Sequence, residues 1–175
     1  MGFKLSRNTS LKCGKIVYVD MDNVLVDFKS GLDRVPEEVK AEYANDGKDK
    51  PHYDDIPGIF SLMDPMPGAI EAMQELNKCF DLYILSTAPW LNPSAWSDKL
   101  EWVQRYFGKG EKTIFYKRLI ISHNKDLNRG DFLIDDRKKN GAEEFHGELI
   151  EFGSAKYPDW PTVVAYLIDD KQGKR

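Results

Sequence analysis

Seven polar residues stand at or just beyond the ends of short apolar runs, and their types suggest what they could do together. Asp20 and Asp22 follow the run that begins at Lys15, KIVYV; Ser86 and Thr87 follow Phe80–Leu85, FDLYIL; Lys125 comes just after Arg118–Ile121, RLII; Asp135 and Asp136 follow Asp131–Ile134, DFLI. Four carboxylates at one edge of a fold repel one another unless a cation sits among them. An all-oxygen donor set selects a hard ion. Mg²⁺ is the natural choice, bound through one or two carboxylates plus water and phosphate oxygens. Lys125 would balance anionic charge, and Ser86 or Thr87 would donate hydrogen bonds to non-bridging oxygens. Together these groups make a site for a phosphoryl group.

The elements that must position them can be read from the same runs. Uninterrupted apolar stretches of four to six residues suit strands of a parallel sheet buried on both faces. Glu148–Phe152, ELIEF, is a fifth such run. Helical spacing lies between them: Ala69–Asn77 after Pro67-Gly68; Ser94–Phe107, with Trp96, Leu100, Val103 and Phe107 three or four apart and Gly108 as a stop; a short Asn140–Phe145; and Pro161–Asp169. Strands alternating with helices predict an α/β fold, a doubly wound parallel sheet. Ligands of such sheets bind at the carboxyl ends of the strands, where the seven residues fall.

The stretch between the first run and Pro67 breaks this rhythm. It contains no clear strand. Glu37–Ala44 reads as a helix with Pro36 at its first turn, and Lys48–Asp64 is rich in Pro, Asp and Gly. A connection this long inside a compact domain is usually functional. The expected organisation is therefore an N-terminal extension over 1–14, an α/β core over 15–28 and 67–175, and a small, mostly helical cap over 29–66.

Composition narrows the function classes. The 175 residues are 41% hydrophobic, enough for a core without staples. With 25 basic and 29 acidic residues the net charge is −4, which argues against a nucleic-acid binder and a disordered acidic chain. No apolar run approaches the roughly 18–20 residues that span a bilayer, so no membrane partner is expected. Cys13 and Cys79 are too few for a disulfide framework or a four-ligand zinc site, and His52, His123 and His146 show no ligand spacing. Met1–Gly14 lacks the apolar core of a secretory signal. Its opening Met-Gly-Phe-Lys-Leu-Ser fits the loose N-myristoylation pattern, but a plain extension and a cytoplasmic location are expected.

The run Asp20-Met21-Asp22-Asn23-Val24-Leu25 resembles the first motif of the haloacid dehalogenase superfamily. Ser86-Thr87, Lys125 and Leu133-Ile134-Asp135-Asp136-Arg137 resemble its second, third and fourth motifs, in order. Val19–Phe28, Pro67-Gly68-Ala69 and Trp102–Gly108 are similar to its type C 5′(3′)-deoxyribonucleotidase branch, and the likeness spans roughly residues 15–152. The resemblance implies a phosphomonoester hydrolase for small substrates, with Asp20 as nucleophile and Asp22 as general acid and then base. It implies Mg²⁺ held by the Asp20 and Asp136 carboxylates and the Asp22 carbonyl, with Asp135 orienting Lys125 or a metal-bound water. Ser86, Thr87 and Lys125 would bind phosphate, Ser86 ranking first because it ends its strand. Phe28 matches a base-stacking position, and Tyr43, His52 and Tyr53 are further candidates for substrate contact. Asn23 stands where the family usually has Gly, and Asn tolerates left-handed backbone angles. The resemblance also allows a homodimer.

These residues also admit plainer readings. An EF-hand loop over Asp20–Asp27 fails, because Val24 and Leu25 occupy positions that need an oxygen ligand and a glycine. Trp90, Trp96, Trp102 and Trp160 are expected in packing, the three histidines in structural roles, and Arg137-Lys138-Lys139 on a solvated face. The same chemistry could serve a sugar phosphate, and the same scaffold could be a non-catalytic phosphate-binding module. An intact set of Asp20, Asp22, Lys125 and Asp136 argues against the module.

Overall fold

The computed structural model describes residues 14–44 and 50–171. The Met-Gly-Phe-Lys-Leu-Ser pattern, Cys13 and nearly all of the expected 1–14 extension lie outside the described residues. Five strands form the main sheet: β1 (Ile16–Val19), β4 (Asp81–Ser86), β5 (Leu119–Ile121), β6 (Phe132–Asp135) and β7 (Glu148–Glu151). Their order is β5-β4-β1-β6-β7, and every pairing is parallel. Each falls on one of the five apolar runs.

The sheet is buried on both sides, which explains the continuous apolar pattern. Val17 and Val19 point into the larger core with Leu82, Ile84, Phe132, Ile134 and Ile150. Helices α3 (Ala69–Leu76) and α5 (Trp160–Lys171) supply Ala72, Met73, Leu76, Trp160, Val163 and Leu167 to it. Tyr18, Leu85 and Leu133 alternate to the opposite face and meet Ala142 and Phe145. A helix is expected over Asn140–Phe145, but the chain there is irregular. Asn140 and Gly141 both have positive φ, 53° and 80°, which a right-handed helix cannot accommodate.

The segment between β1 and α3 is more ordered than its composition suggests. It contains β2 (Val26–Asp27), α1 (Phe28–Leu32), α2 (Glu37–Ala44), two 3-10 turns at Tyr53–Asp55 and Ile59–Leu62, and β3 (Asp64–Pro65). Strands β2 and β3 pair antiparallel, Val26 with Pro65 and Asp27 with Asp64, so the segment leaves and rejoins the core at one narrow neck. Two residues are too few to read as a strand. Helix α1 packs so closely on the second 3-10 turn that a Cβ on Gly31 would stand 2.7 Å from Met63 Cγ. That contact requires glycine.

Helix α4 (Ser94–Phe107) has the expected bounds but is rotated about its axis from the expected stripe. Its buried residues are Ala95, Asp98, Lys99, Trp102 and Val103, whereas Trp96 and Leu100 are 42% and 45% exposed. Trp90, in the loop before it, is 80% exposed. Trp102 and Trp160 are buried as expected, and both satisfy their indole N–H. Trp102 donates to the Met63 carbonyl and Trp160 to the Val24 carbonyl, each at 3.0 Å. No helix among the described residues is long and apolar enough to cross a membrane.

Candidate active site

The residue after β1 stays in the sheet's hydrogen-bond pattern. Asp20 N donates to Ile134 O at 2.9 Å, which carries the β1–β6 pairing one residue further and sets Asp20 beside Asp135. The chain then turns sharply. Leu25 N and Val26 N both donate to Met21 O at 2.9 Å, and Asn23 sits at the bend with φ 56°. Asn thus supplies the left-handed conformation at the departure from the family pattern. Its side-chain Nδ2 also donates to Asp136 Oδ2 at 3.3 Å.

Lys125 lies on a 3-10 turn after β5 and is 2% exposed. Its Nζ is 3.1 Å from Asp20 Oδ1 and donates to Asp135 Oδ2 at 2.5 Å. Asp135 Oδ1 accepts from the Arg137 backbone N–H at 3.0 Å. Burial alone would lower the Lys125 pKa, but the Asp20 and Asp135 carboxylates outweigh it and the ammonium is held above its ordinary value. Burial, with repulsion from Asp20, pushes Asp135 up to about 6 against the pull of Lys125. Burial also raises Asp136, opposed by Arg137.

Asp20, Asp135 and Asp136 bring one carboxylate oxygen each within 4.8 Å of the others. Among the described residues, Asp136 Oδ1 is buried and accepts no hydrogen bond, and Arg137 Nε stands 3.5 Å away. A buried acceptor without a donor is costly, and a cation would satisfy it. The trio, all oxygen, fits a divalent metal. Asp135 therefore stands within the acidic cluster itself, as well as beside Lys125.

The Asp22 carboxylate is bound elsewhere, by a residue the sequence reading missed. Lys99 of α4 is fully buried, and its Nζ donates to Asp22 Oδ1 and Oδ2 at 2.8 and 2.9 Å. It also donates to Ser86 Oγ at 3.2 Å and lies 4.4 Å from the centroid of the Phe60 ring. Burial raises the Asp22 pKa, Lys99 lowers it, Asp20 adds to the rise, and the net direction is up. A lysine inside an amphipathic helix looks like a surface residue. The only sequence signal was its place in register with Ala95 and Trp102 on the inner face.

Of these groups Asp22 lines a cavity of about 450 Å³, with Phe28, Tyr53, Thr87, His123 and Arg137 among its other lining residues; Asp20, Lys125, Asp135 and Asp136 lie behind its wall. Thr87 is on its wall, with Oγ1 donating to Ser122 O at 2.9 Å, whereas Ser86 is fully buried against Lys99. The expected ranking of the two hydroxyls is thus reversed for cavity access, because the last strand residue points inward and the next one outward. Phe28 and Tyr53 line the cavity. Tyr43 packs against the core, and His52 is half-buried with no hydrogen-bond partner for Nε2 among the described residues; neither is on the wall. His123 and Arg137 are on it, although a structural role and a solvated face were expected for them.

The family described as 5′ nucleotidase, deoxy (pyrimidine), cytosolic type C protein matches residues 14–158. A protein of Vibrio phage KVP40, provisionally named 5′(3′)-deoxyribonucleotidase, is 57% identical over 157 residues, covering 90% of this chain and 86% of its own. The human 5′(3′)-deoxyribonucleotidase, cytosolic type, is 32% identical over 152 residues, covering 73% of this chain and 74% of its own. Among solved structures, a haloacid dehalogenase-like family hydrolase from Xanthomonas campestris aligns with a TM-score of 0.52 at 11% identity, over 94% of this chain and 100% of that one. That likeness speaks for the fold, and the sequence matches for the branch. With its motif residues gathered at one sheet edge, the chain belongs to the type C 5′(3′)-deoxyribonucleotidase family of haloacid dehalogenase-like hydrolases.

Proposed function

We propose that this protein is a Mg²⁺-dependent 5′(3′)-deoxyribonucleotidase that releases phosphate from deoxynucleoside monophosphates through an aspartyl-phosphate. The observation that carries the reading is the placement of two differently held carboxylates. Asp20 lies against Lys125 in the acidic cluster, while Asp22 is gripped by Lys99 at the cavity wall.

The division of labour follows from those surroundings. An Asp20 oxygen attacks phosphorus, and the ester P–O bond breaks. Asp22, in its protonated form, gives its proton to the leaving oxygen. Water then attacks the aspartyl-phosphate and passes a proton back to Asp22. Phosphate leaves, and Asp20 is restored. Lys125 balances the charge carried by Asp20 and the phosphoryl oxygens, and Thr87 donates its hydroxyl proton to the same group once it leaves the Ser122 carbonyl. Asp20, Asp136 and the Asp22 carbonyl would hold Mg²⁺, with Asp135 beside them. The ion would neutralise phosphoryl charge and orient the attack. Phe28 and Tyr53 are placed to contact the nucleoside. Residues 29–66 would act as the cap and 15–28 with 67–175 as the core. The human relative's cytosolic type supports a cytoplasmic location.

The test is phosphate release from a panel of deoxyribonucleotides, ribonucleotides and sugar phosphates, with Mg²⁺ and with EDTA, and with Asp20→Asn as control. Metal-dependent release that favours deoxynucleoside monophosphates and is lost in Asp20→Asn is expected. Release from sugar phosphates alone would keep the chemistry and refute the substrate. Release that persists in Asp20→Asn would refute the nucleophile.

A further inference from the structure

Asn92 lies in the loop between β4 and α4. It touches none of the catalytic groups and has no exposed surface. Asparagine is rarely so buried unless its amide is matched by partners. Here each polar atom has one. Nδ2 donates to two backbone carbonyls, Asp54 O at 2.9 Å and Ile56 O at 3.0 Å. Oδ1 accepts from Ser94 Oγ at 2.8 Å, the single hydroxyl proton being shared with Asp98 Oδ2 at 3.1 Å. Ser94 Oγ in turn accepts from Gly58 N at 2.8 Å. One side chain and its neighbour thus grip the chain at Asp54, Ile56 and Gly58.

The two backbone segments joined in this way both line the cavity. Thr87, Ala88 and Pro89, on one of them, stand three to five residues before Asn92. Pro51, Tyr53 and Asp54 line it from the segment inserted after β1. Among the described residues, the backbone of that segment around Tyr53 is held by a three-residue 3-10 turn and by bonds from His52 N to Tyr43 O and from Asp55 N to His52 O, both at 3.0 Å, with Ile56 buried in the core. Short 3-10 turns have poor hydrogen-bond geometry and do not hold a wall in place unaided.

We propose that Asn92 is a positioning residue that fixes the Tyr53-bearing wall to the phosphate-binding loop, and so sets affinity for the nucleoside part of the substrate. The proposal rests on the nucleotidase reading for what fills the cavity. On that reading the Tyr53-bearing wall contacts the nucleoside, whereas the phosphoryl group is met by Asp20 and Lys125, which are tied to one another and to Asp135 and not to Asn92. Loosening the wall therefore weakens nucleotide binding and leaves phosphate binding alone. Pre-organised contacts to parts of a substrate remote from the reacting atoms act in this way on binding.

The experiment compares wild type with Asn92→Ala and Asn92→Asp. Asn92→Asp keeps the shape, loses both donor hydrogens and faces the two carbonyls with acceptors. Three readouts are taken on the Mg²⁺-loaded protein: KM and kcat for a deoxynucleoside monophosphate, inhibition by inorganic phosphate, and amide exchange over residues 52–59. The expected result is a KM raised at least tenfold, kcat within threefold, an unchanged phosphate inhibition constant, and faster exchange at 52–59. A residue that only stabilised the fold would lower the active fraction, and with it kcat, and leave KM alone; that outcome overturns the proposal. So does a parallel rise in KM and in the phosphate inhibition constant. Should either variant fail to fold, Ser94→Ala removes the Gly58 tie alone and is held to the same pattern at smaller size, with unchanged KM refuting it. If wild type turns over no deoxynucleotide, the nucleotidase reading fails separately. The latch is then decided by exchange, and unaltered protection of 52–59 in Asn92→Ala refutes it.

Discussion

Replacing Lys99 by methionine removes one charge and almost no volume. It takes the ammonium away from Asp22, from Ser86 Oγ and from over the Phe60 ring, so the contact with Asp22 is isolated by comparison with an Asp22→Asn background. At 2.8 Å and an effective dielectric near 20, the pair attracts by about 6 kcal/mol. Relief of the buried ammonium's own desolvation returns part of that. Stranding one partner of a buried pair costs about 3–5 kcal/mol, and the lower end applies because Asp22 keeps 14% of its side chain exposed and can be hydrated. A loss of about 3 kcal/mol with an m-value of about 2 kcal/mol/M moves the urea midpoint down by about 1.5 M. The assay is urea unfolding at pH 7 without metal, followed by tryptophan fluorescence. The same substitution in an Asp22→Asn background should cost about 1 kcal/mol or less, the remainder being the coupling. In the active enzyme, a carboxylate freed to move by about 1 Å should lose about 100-fold in kcat. A midpoint shift under about 0.5 M, or equal costs in the two backgrounds, would refute the reasoning.

Metal binding should depend on pH through Asp135. Its pKa is raised to about 6, so a proton competes with the ion below that value, and the rise in Tm produced by Mg²⁺ should shrink as pH falls through 6. Asn23→Gly should change stability by less than about 0.5 kcal/mol in chemical denaturation, whereas Asn23→Ala, forced to the same φ of 56° without the bond to Asp136, should cost about 1–2 kcal/mol. Asp98 is buried, and burial, with Glu101 nearby, holds its pKa above the usual value against a hydrogen bond from Ser94. Ionisation is then harder in the folded state than in the unfolded one. Asp98→Asn should therefore match wild type near pH 3 and gain on it as pH rises through the carboxylate range, as read from Tm against pH.

The parts of this molecule legible in sequence are those set by local pattern. All five sheet strands announced themselves as apolar runs, because a parallel strand buried on both faces leaves no polar residue to interrupt it. Helix α4 was legible in its bounds but not in its rotation. Lys99 belongs to its inner face only because Asp22, 77 residues earlier, neutralises it, and no helical periodicity records such a distant partner. The carboxylates proposed for catalysis and metal binding were legible because they stand at or within three residues of a strand's end. Asn92 was not, since the two groups its amide donates to are backbone carbonyls with no side-chain signature. The β2–β3 pair escaped for want of length, and Asn140–Phe145 misled because two left-handed residues in a row stop a helix that the spacing alone permits.

The central place of β1 in the sheet has a consequence for the timing of folding. Its neighbours, β4 and β6, arrive from two separate crossovers, and more than a hundred residues separate Asp20 from Lys125 and from Asp135. Contacts so distant along the chain close slowly. The loop that bears Asp22 is braced later still, by the Trp160 indole on Val24, from the last described helix. A chain emerging from the ribosome would hold Asp20, Asp22, Lys125 and Asp136 well before that brace exists. Catalytic power would then switch on late and all at once, so a half-made chain leaves the nucleotide pool untouched.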